Sequence, residues 1–179
     1  MSKILFFGYG AYKSKQKLKE VIGRDPGEGV GAIVEGFTLH VQELVQVPKQ
    51  AQDDMRRFWG NEFKAYTLRT GDGVVSGIIW EIEEEELVLV KEWEYDGLWR
   101  EFIEVEVVTS ALEKVKVLTE KSMDQFPTTF IVDGLLYDVF AFTRNEGKTD
   151  PNKNEYYDKQ QIAKIKQWLS TQITHQKKS

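Results

Sequence analysis

The chain of 179 residues has no cysteine, only two histidines and four prolines. Without cysteine there can be no disulfide, no thiolate metal site and no cysteine nucleophile, and the composition fits a reducing compartment. His40 falls in a strand-like stretch and His175 in the tail, so neither a two-histidine metal helix nor a Ser-His-Asp arrangement can be built from them. Gly-x-Ser-x-Gly is absent as well. An enzyme made from this chain would move protons with a carboxylate and without a metal. No stretch approaches the roughly 20 apolar residues of a membrane span. At the N-terminus a single lysine precedes a short apolar run that ends in glycines, unlike a secretory signal, so the expected location is the cytoplasm. The net charge of −5, with basic residues scattered among acids, argues against a nucleic-acid partner.

What is present suits one globular domain: 41% hydrophobic and 30% charged residues exclude general disorder and leave enough apolar surface for a core. The chain is expected to form a single domain over residues 1–173 with a frayed basic tail at 174–179. Residues 4–12 are an apolar strand running into a turn with Gly8 and Gly10. Glycines there let backbone N–H groups approach a ligand, preferably an anion. They equally permit a tight strand-to-helix connection, and the stretch alone does not choose between the two.

Residues 13–22 show helical spacing and should end at Gly23, and residues 30–47 return to strand character with a bend or bulge at Gly36. Residues 48–62 read as a loop with a short helix, anchored by Trp59 and covering one rim. Gly71-Asp72-Gly73 predicts a hairpin between strands 63–70 and 74–82. Glu83 to Glu86 form the acidic first turn of a helix, read as a solvated face. Residues 99–109 alternate as a strand with one wet face, 115–118 make a short strand, and Asp133-Gly134 predicts a second hairpin within 130–142. A polar loop over 145–154 and an amphipathic helix over 156–173 follow. About seven strands, mostly hairpin-linked, with two or three helices indicate an α+β fold on a largely antiparallel or barrel-like sheet.

Two nucleotide motifs fail. A dinucleotide fingerprint that used Gly8 and Gly10 would need glycine where Lys13 stands. Gly147-Lys148-Thr149 lacks the upstream glycine of a P-loop, since that position is Phe142. The remaining candidate is Glu94, between Trp93 and Tyr95. Burial against aromatic surface would raise its pKa and let it take and return a proton; the alternative is a helix-terminal surface glutamate.

The run Phe7-Gly8-Tyr9-Gly10-Ala11-Tyr12 resembles the Tyr-Gly-Ser-Asn type loop of the γ-glutamylcyclotransferase-like (AIG2-like) superfamily, where that loop also follows the first strand. Three further stretches match in order: residues 31–37 with the second strand, 75–82 with the Val-x-Gly strand, and 90–94 with Leu-Asp-x-x-Glu. Leu98-Trp99-Arg100 then stands where many members have a tyrosine followed by basic residues. The resemblance covers about residues 3–108, and 151–165 weakly resembles the C-terminal helix. It implies a small mixed, largely antiparallel β-barrel with flanking helices and a pocket at the first loop. Backbone amides around Tyr9, Gly10, Ala11 and Tyr12 would hold the α-carboxylate of a γ-glutamyl group, with Trp99 also at the substrate. Glu94 would be the acid/base, taking the amine proton and passing it to the departing nitrogen while the γ-glutamyl amine or amino acid cyclises to 5-oxoproline. No cofactor is implied. Ala11, Tyr12, Lys91 and Trp99 depart from the family pattern. The alternative is a non-catalytic domain on the same fold that binds a small carboxylate or serves as an interaction surface.

Overall fold

In a computed structural model of the chain, the described residues are 2–61 and 63–135. The expected helix over 156–173, the loop over 145–154, the tail, His175 and the far arm of the second hairpin lie outside them, as does the side chain of Trp59. Among the described residues are strands β1 (Lys3–Gly8), β2 (Val30–Glu43), β3 (Lys64–Glu83), β4 (Arg100–Thr109), β5 (Lys114–Ser122) and β6 (Phe130–Val132). The helices are α1 (Lys15–Ile22), α2 (Lys49–Trp59) and α3 (Glu84–Trp93). None is long and apolar enough to cross a membrane.

The sheet runs β3-β1-β5-β4-β2-β6, and β2 also pairs with β3, so it curls into a ring with β6 on the outside. Every pairing is antiparallel except the short β1–β5 join at Phe6 and Leu118. Strand alternation sorts the apolar side chains. Phe7, Val34, Leu68, Val107 and Val117 point into one buried cluster that draws on every strand of the ring. Phe6, Ile33, Ile78 and Trp80 point the other way, where Leu18 and Ile22 of α1 and Leu87 and Val90 of α3 cover them. This is the α+β, largely antiparallel architecture the sequence predicts.

One turn signal misleads. Gly71-Asp72-Gly73 does not close a hairpin, because β3 is a single strand that pairs with β2 on both sides of it, from Glu43↔Lys64 to Val30↔Ile79. The register shifts between Glu35 and Phe37, opposite these glycines, and the left-handed residue there is Gly36 of β2 (φ 85°). Gly71 and Gly73 are needed for closeness instead. A Cβ on Gly73 would lie 2.6 Å from the Phe37 carbonyl oxygen, and one on Gly71 would lie 3.0 Å from the Thr38 side chain. Gly36 thus marks the bulge the sequence predicts there. Of the second turn signal, only the first arm lies within the described residues: β6 pairs with residues 39–41 of β2, and the Gly134 carbonyl accepts from Ser76 N at 2.9 Å.

The helices differ from expectation in extent and setting. Ser14 caps α1 by accepting from Lys17 N at 3.2 Å, and Gly23 ends it in the left-handed region. The helix expected within residues 48–62 is present and takes up most of the segment, eleven residues from Lys49 to Trp59, with Met55 and Ala51 packed beside Leu44 and Trp99. The acidic run at α3 is not simply solvated: Glu86 is buried, closes a capping box with Glu83 and pairs with Arg24 Nε at 2.6 Å.

Candidate active site

The opening strand delivers its turn to one end of the ring. β1 ends at Gly8, where a Cβ would fall 2.4 Å from the Tyr12 carbonyl oxygen, so only glycine lets the chain fold back so tightly. Gly10 then takes a left-handed φ of 61° and starts a 3₁₀ turn over Gly10–Lys13. Tyr9 and Tyr12 are turned inward. The Tyr9 hydroxyl donates to the Glu120 backbone carbonyl at 2.6 Å, and Trp80 Nε1 donates to the Tyr12 carbonyl at 2.8 Å.

Glu94 arrives from the opposite side. α3 stops at Trp93, Glu94 caps it, and Tyr95 adopts a left-handed φ of 56°, which costs a non-glycine residue about 1–2 kcal/mol. The Tyr95 carbonyl accepts from the amides of Leu98, Trp99 and Arg100, so the chain doubles back and brings Arg100 beside Glu94. The Tyr95 phenol is tied to α2 by donating to Asp54 Oδ2 at 2.6 Å, and burial followed by that bond pushes its pKa up to about 12. Tyr95→Phe is expected to cost about 1 kcal/mol in urea unfolding, since the lost bond is to a partly exposed carboxylate. A change of only a few tenths would mean that α2 is held by its apolar contacts alone.

Between these elements lies a cleft of about 660 Å³, counting the part open to solvent. Tyr9, Gly10, Ala11, Tyr12, Glu94 and Trp99 all line it, so the residues singled out in the sequence share one cavity. Met55 and Phe63 form an apolar wall, which is how the 48–62 segment reaches the rim, and Lys17 stands at the edge with its ammonium 4.4 Å from the Trp93 ring centroid. Trp99 is wall rather than polar contact. Its indole N–H donates to Gln42 Oε1 at 3.2 Å, and its ring carries the Arg100 guanidinium at 4.2 Å.

Two charged residues lining the cleft were not assigned to it from the sequence: Arg100, quoted only within the Leu98-Trp99-Arg100 match, and Glu120. Arg100 is 3% exposed and Glu120 4%. Arg100 Nη2 donates to the Tyr66 carbonyl at 3.0 Å, Nη1 lies 2.8 Å from Glu120 Oε2, and Nε lies 3.6 Å from Glu94 Oε2. The Glu94 contact is too long for a hydrogen bond and the Glu120 contact is an ion pair without hydrogen-bond alignment: Arg100 Nε and Nη1, Glu120 Oε2 and the Tyr12 hydroxyl are buried without a hydrogen-bond partner among the described residues. Burial pushes the Glu120 carboxyl up to about 8, with the Glu94 charge adding to the rise and Arg100 opposing it. Burial, then the charges of Glu94 and Glu120, hold the Tyr12 phenol well above its ordinary value, so it remains a neutral O–H donor. For Arg100, desolvation is outweighed by Glu120, Tyr9 and Glu94, and it stays cationic.

No protein-family model matches the sequence, and no curated protein does so significantly. Solved structures do resemble it. An uncharacterized protein from Homo sapiens superposes with a TM-score of 0.58 at 16% identity, over 92% of this chain and 98% of that one. A gamma-glutamyl cyclotransferase gives 0.56 at 14% identity, again over 92% and 98%. A protein from Arabidopsis thaliana gives 0.53 at 18% identity over 73% and 78%. The ring of strands, the turn after β1 and the flanking helices therefore make up the γ-glutamyl cyclotransferase-like fold.

Proposed function

We propose that this protein is a cofactor-independent enzyme of the γ-glutamylcyclotransferase type, acting on a γ-glutamyl amine or γ-glutamyl amino acid. The supporting observation is that the turn Tyr9 to Tyr12 and the carboxyl of Glu94, distant in sequence, border one cavity. The turn's backbone receives the substrate's α-carboxylate. Glu94 takes a proton from the α-amino nitrogen as that nitrogen attacks the γ-carbonyl, and the collapse of the intermediate releases the amine and 5-oxoproline. Because nucleophile and electrophile belong to one molecule, holding the substrate folded supplies much of the rate, and the acyl transfer needs no water. Tyr12 and Ala11 replace side chains of the familiar loop, but backbone donors survive a change of side chain. The phenol of Tyr12 adds an O–H donor beside Glu94.

Incubation with a panel of γ-glutamyl amines and γ-glutamyl amino acids is expected to release 5-oxoproline from at least one of them, detected by mass spectrometry. A rise in melting temperature with the same compounds but no product would support the other reading, a domain that binds small carboxylates without turning them over.

A further inference from the structure

The cavity holds more acid than a single-glutamate mechanism uses. The Arg100 guanidinium faces both glutamates, with Nη1 2.8 Å from Glu120 Oε2 and Nε 3.6 Å from Glu94 Oε2. Glu120 is the more deeply buried of the two, and burial together with the nearby Glu94 charge disfavours its ionised form against the pull of Arg100, so its carboxyl retains a proton near neutral pH. The two carboxyls differ in surroundings. Glu94 caps a helix and its side chain is 13% exposed; Glu120 lies within β5, with its side chain 5% exposed. The charged and titratable groups facing Glu120 are Arg100, Glu94 and Tyr9, and only Arg100 among them is cationic. The proton therefore belongs on Glu120. Environments that separate two carboxyls in this way assign one as acid and the other as base.

We propose that Glu120 is the general acid of the reaction set out above, protonating the departing nitrogen, while Glu94 serves only as base for the attacking amine. The proposal rests on the cyclotransferase reading. In the step, the neutral α-amino nitrogen forms a bond to the γ-carbonyl carbon, the carbonyl π pair moves onto oxygen, and one N–H proton passes to Glu94. When the carbonyl re-forms, the bond to the leaving nitrogen breaks and the Glu120 proton goes to that nitrogen, releasing a neutral amine. Glu94 is left protonated and Glu120 ionised, and exchange with solvent in the emptied cleft restores both. A scissile amide presents an oxygen that gains charge and a nitrogen that must gain a proton. The Arg100 guanidinium and the Tyr12 hydroxyl offer N–H and O–H donors for the first, and Glu120 offers a carboxylic acid for the second.

The test uses the full chain and two substrates with the same γ-glutamyl head: a γ-glutamyl alkylamide, whose amine cannot leave unprotonated, and the γ-glutamyl p-nitroanilide, whose weakly basic nitrogen needs little help. Glu120→Gln is expected to lower kcat on the alkylamide by about 100-fold or more and on the anilide by less than about fivefold. Equal losses on both overturn the proposal and leave the cyclotransferase reading standing. A wild-type protein that releases 5-oxoproline from neither substrate overturns that reading, and the proposal with it. If Glu120→Gln fails to fold, the wild-type pH profile decides. The kcat for the alkylamide should fall as pH rises through about 8 while that for the anilide does not, the shared head cancelling the α-amine's own titration. Parallel profiles overturn the assignment.

Discussion

Glu94→Gln should reduce 5-oxoproline release by about 10²–10⁴-fold on any substrate that the wild type accepts, with little effect on thermal stability. The change replaces one carboxyl oxygen by an amide nitrogen, so the fit of the side chain between Tyr12 and Arg100 is nearly conserved while the capacity to accept a proton is lost. Stability should hold because the capping role of Glu94 is played by its backbone, whose amide donates to the Val90 carbonyl at 3.0 Å, and because Arg100 keeps its closer ion pair with Glu120 at 2.8 Å. The measurement is a steady-state assay beside a thermal melt. Activity within tenfold of wild type would remove Glu94 as the base. A melting temperature lowered by many degrees would make it a structural residue, and the loss of activity would then carry no mechanistic meaning. The leaving group separates the two glutamates: Glu94→Gln acts on the attacking nitrogen and should impair alkylamide and anilide alike, whereas Glu120→Gln should not.

Half of this site could be read from the sequence because its information is local. The apolar run of β1, the paired glycines and the acidic helix start are each set by neighbours within a few residues, and the order of short motifs from Phe7 to Glu94 pointed to one family and one pocket. Arg100 and Glu120 were hidden for the opposite reason. Glu120 stands among Lys114, Lys116 and Lys121 in a stretch whose alternation of charge resembles a wet strand face, and the strand read there ended at residue 118 instead of Ser122. Only the pairing register, with Arg100 opposite Ser122 and Phe102 opposite Glu120, makes the two charges diagonal neighbours. Register is a tertiary property. The Gly71-Asp72-Gly73 error has the same origin: a turn signal and a bulge signal use the same residues, and the presence of β2 alongside decides between them.

Arg100→Met should destabilise the fold by about 3–5 kcal/mol near pH 8, since it keeps the side chain's volume against Trp99 and removes the cation that lies 2.8 Å from the buried Glu120 carboxyl and 3.6 Å from Glu94. The dependence on pH distinguishes charge from packing. In the wild type the folded-state pKa of Glu120 is raised from 4.5 to about 8. Between those values the folded chain holds a proton that the unfolded chain has released, so the stability this group contributes is fully present below pH 4.5 and is lost as pH rises through about 8. Arg100 opposes the rise. Without it the folded-state pKa moves higher still, the window extends upward, and the penalty of the substitution grows with pH. Urea unfolding at pH 5 should therefore show less than about half the loss seen at pH 8, because a protonated Glu120 no longer needs the guanidinium. Arg100→Met combined with Glu120→Gln should recover most of the loss at pH 8, a coupling larger than distant sites display. A loss that is the same at both pH values and is not relieved by Glu120→Gln would assign the role of Arg100 to its stacking on Trp99 and its bond to the Tyr66 carbonyl. The cluster on the cavity floor would then be packing, with no proton to give.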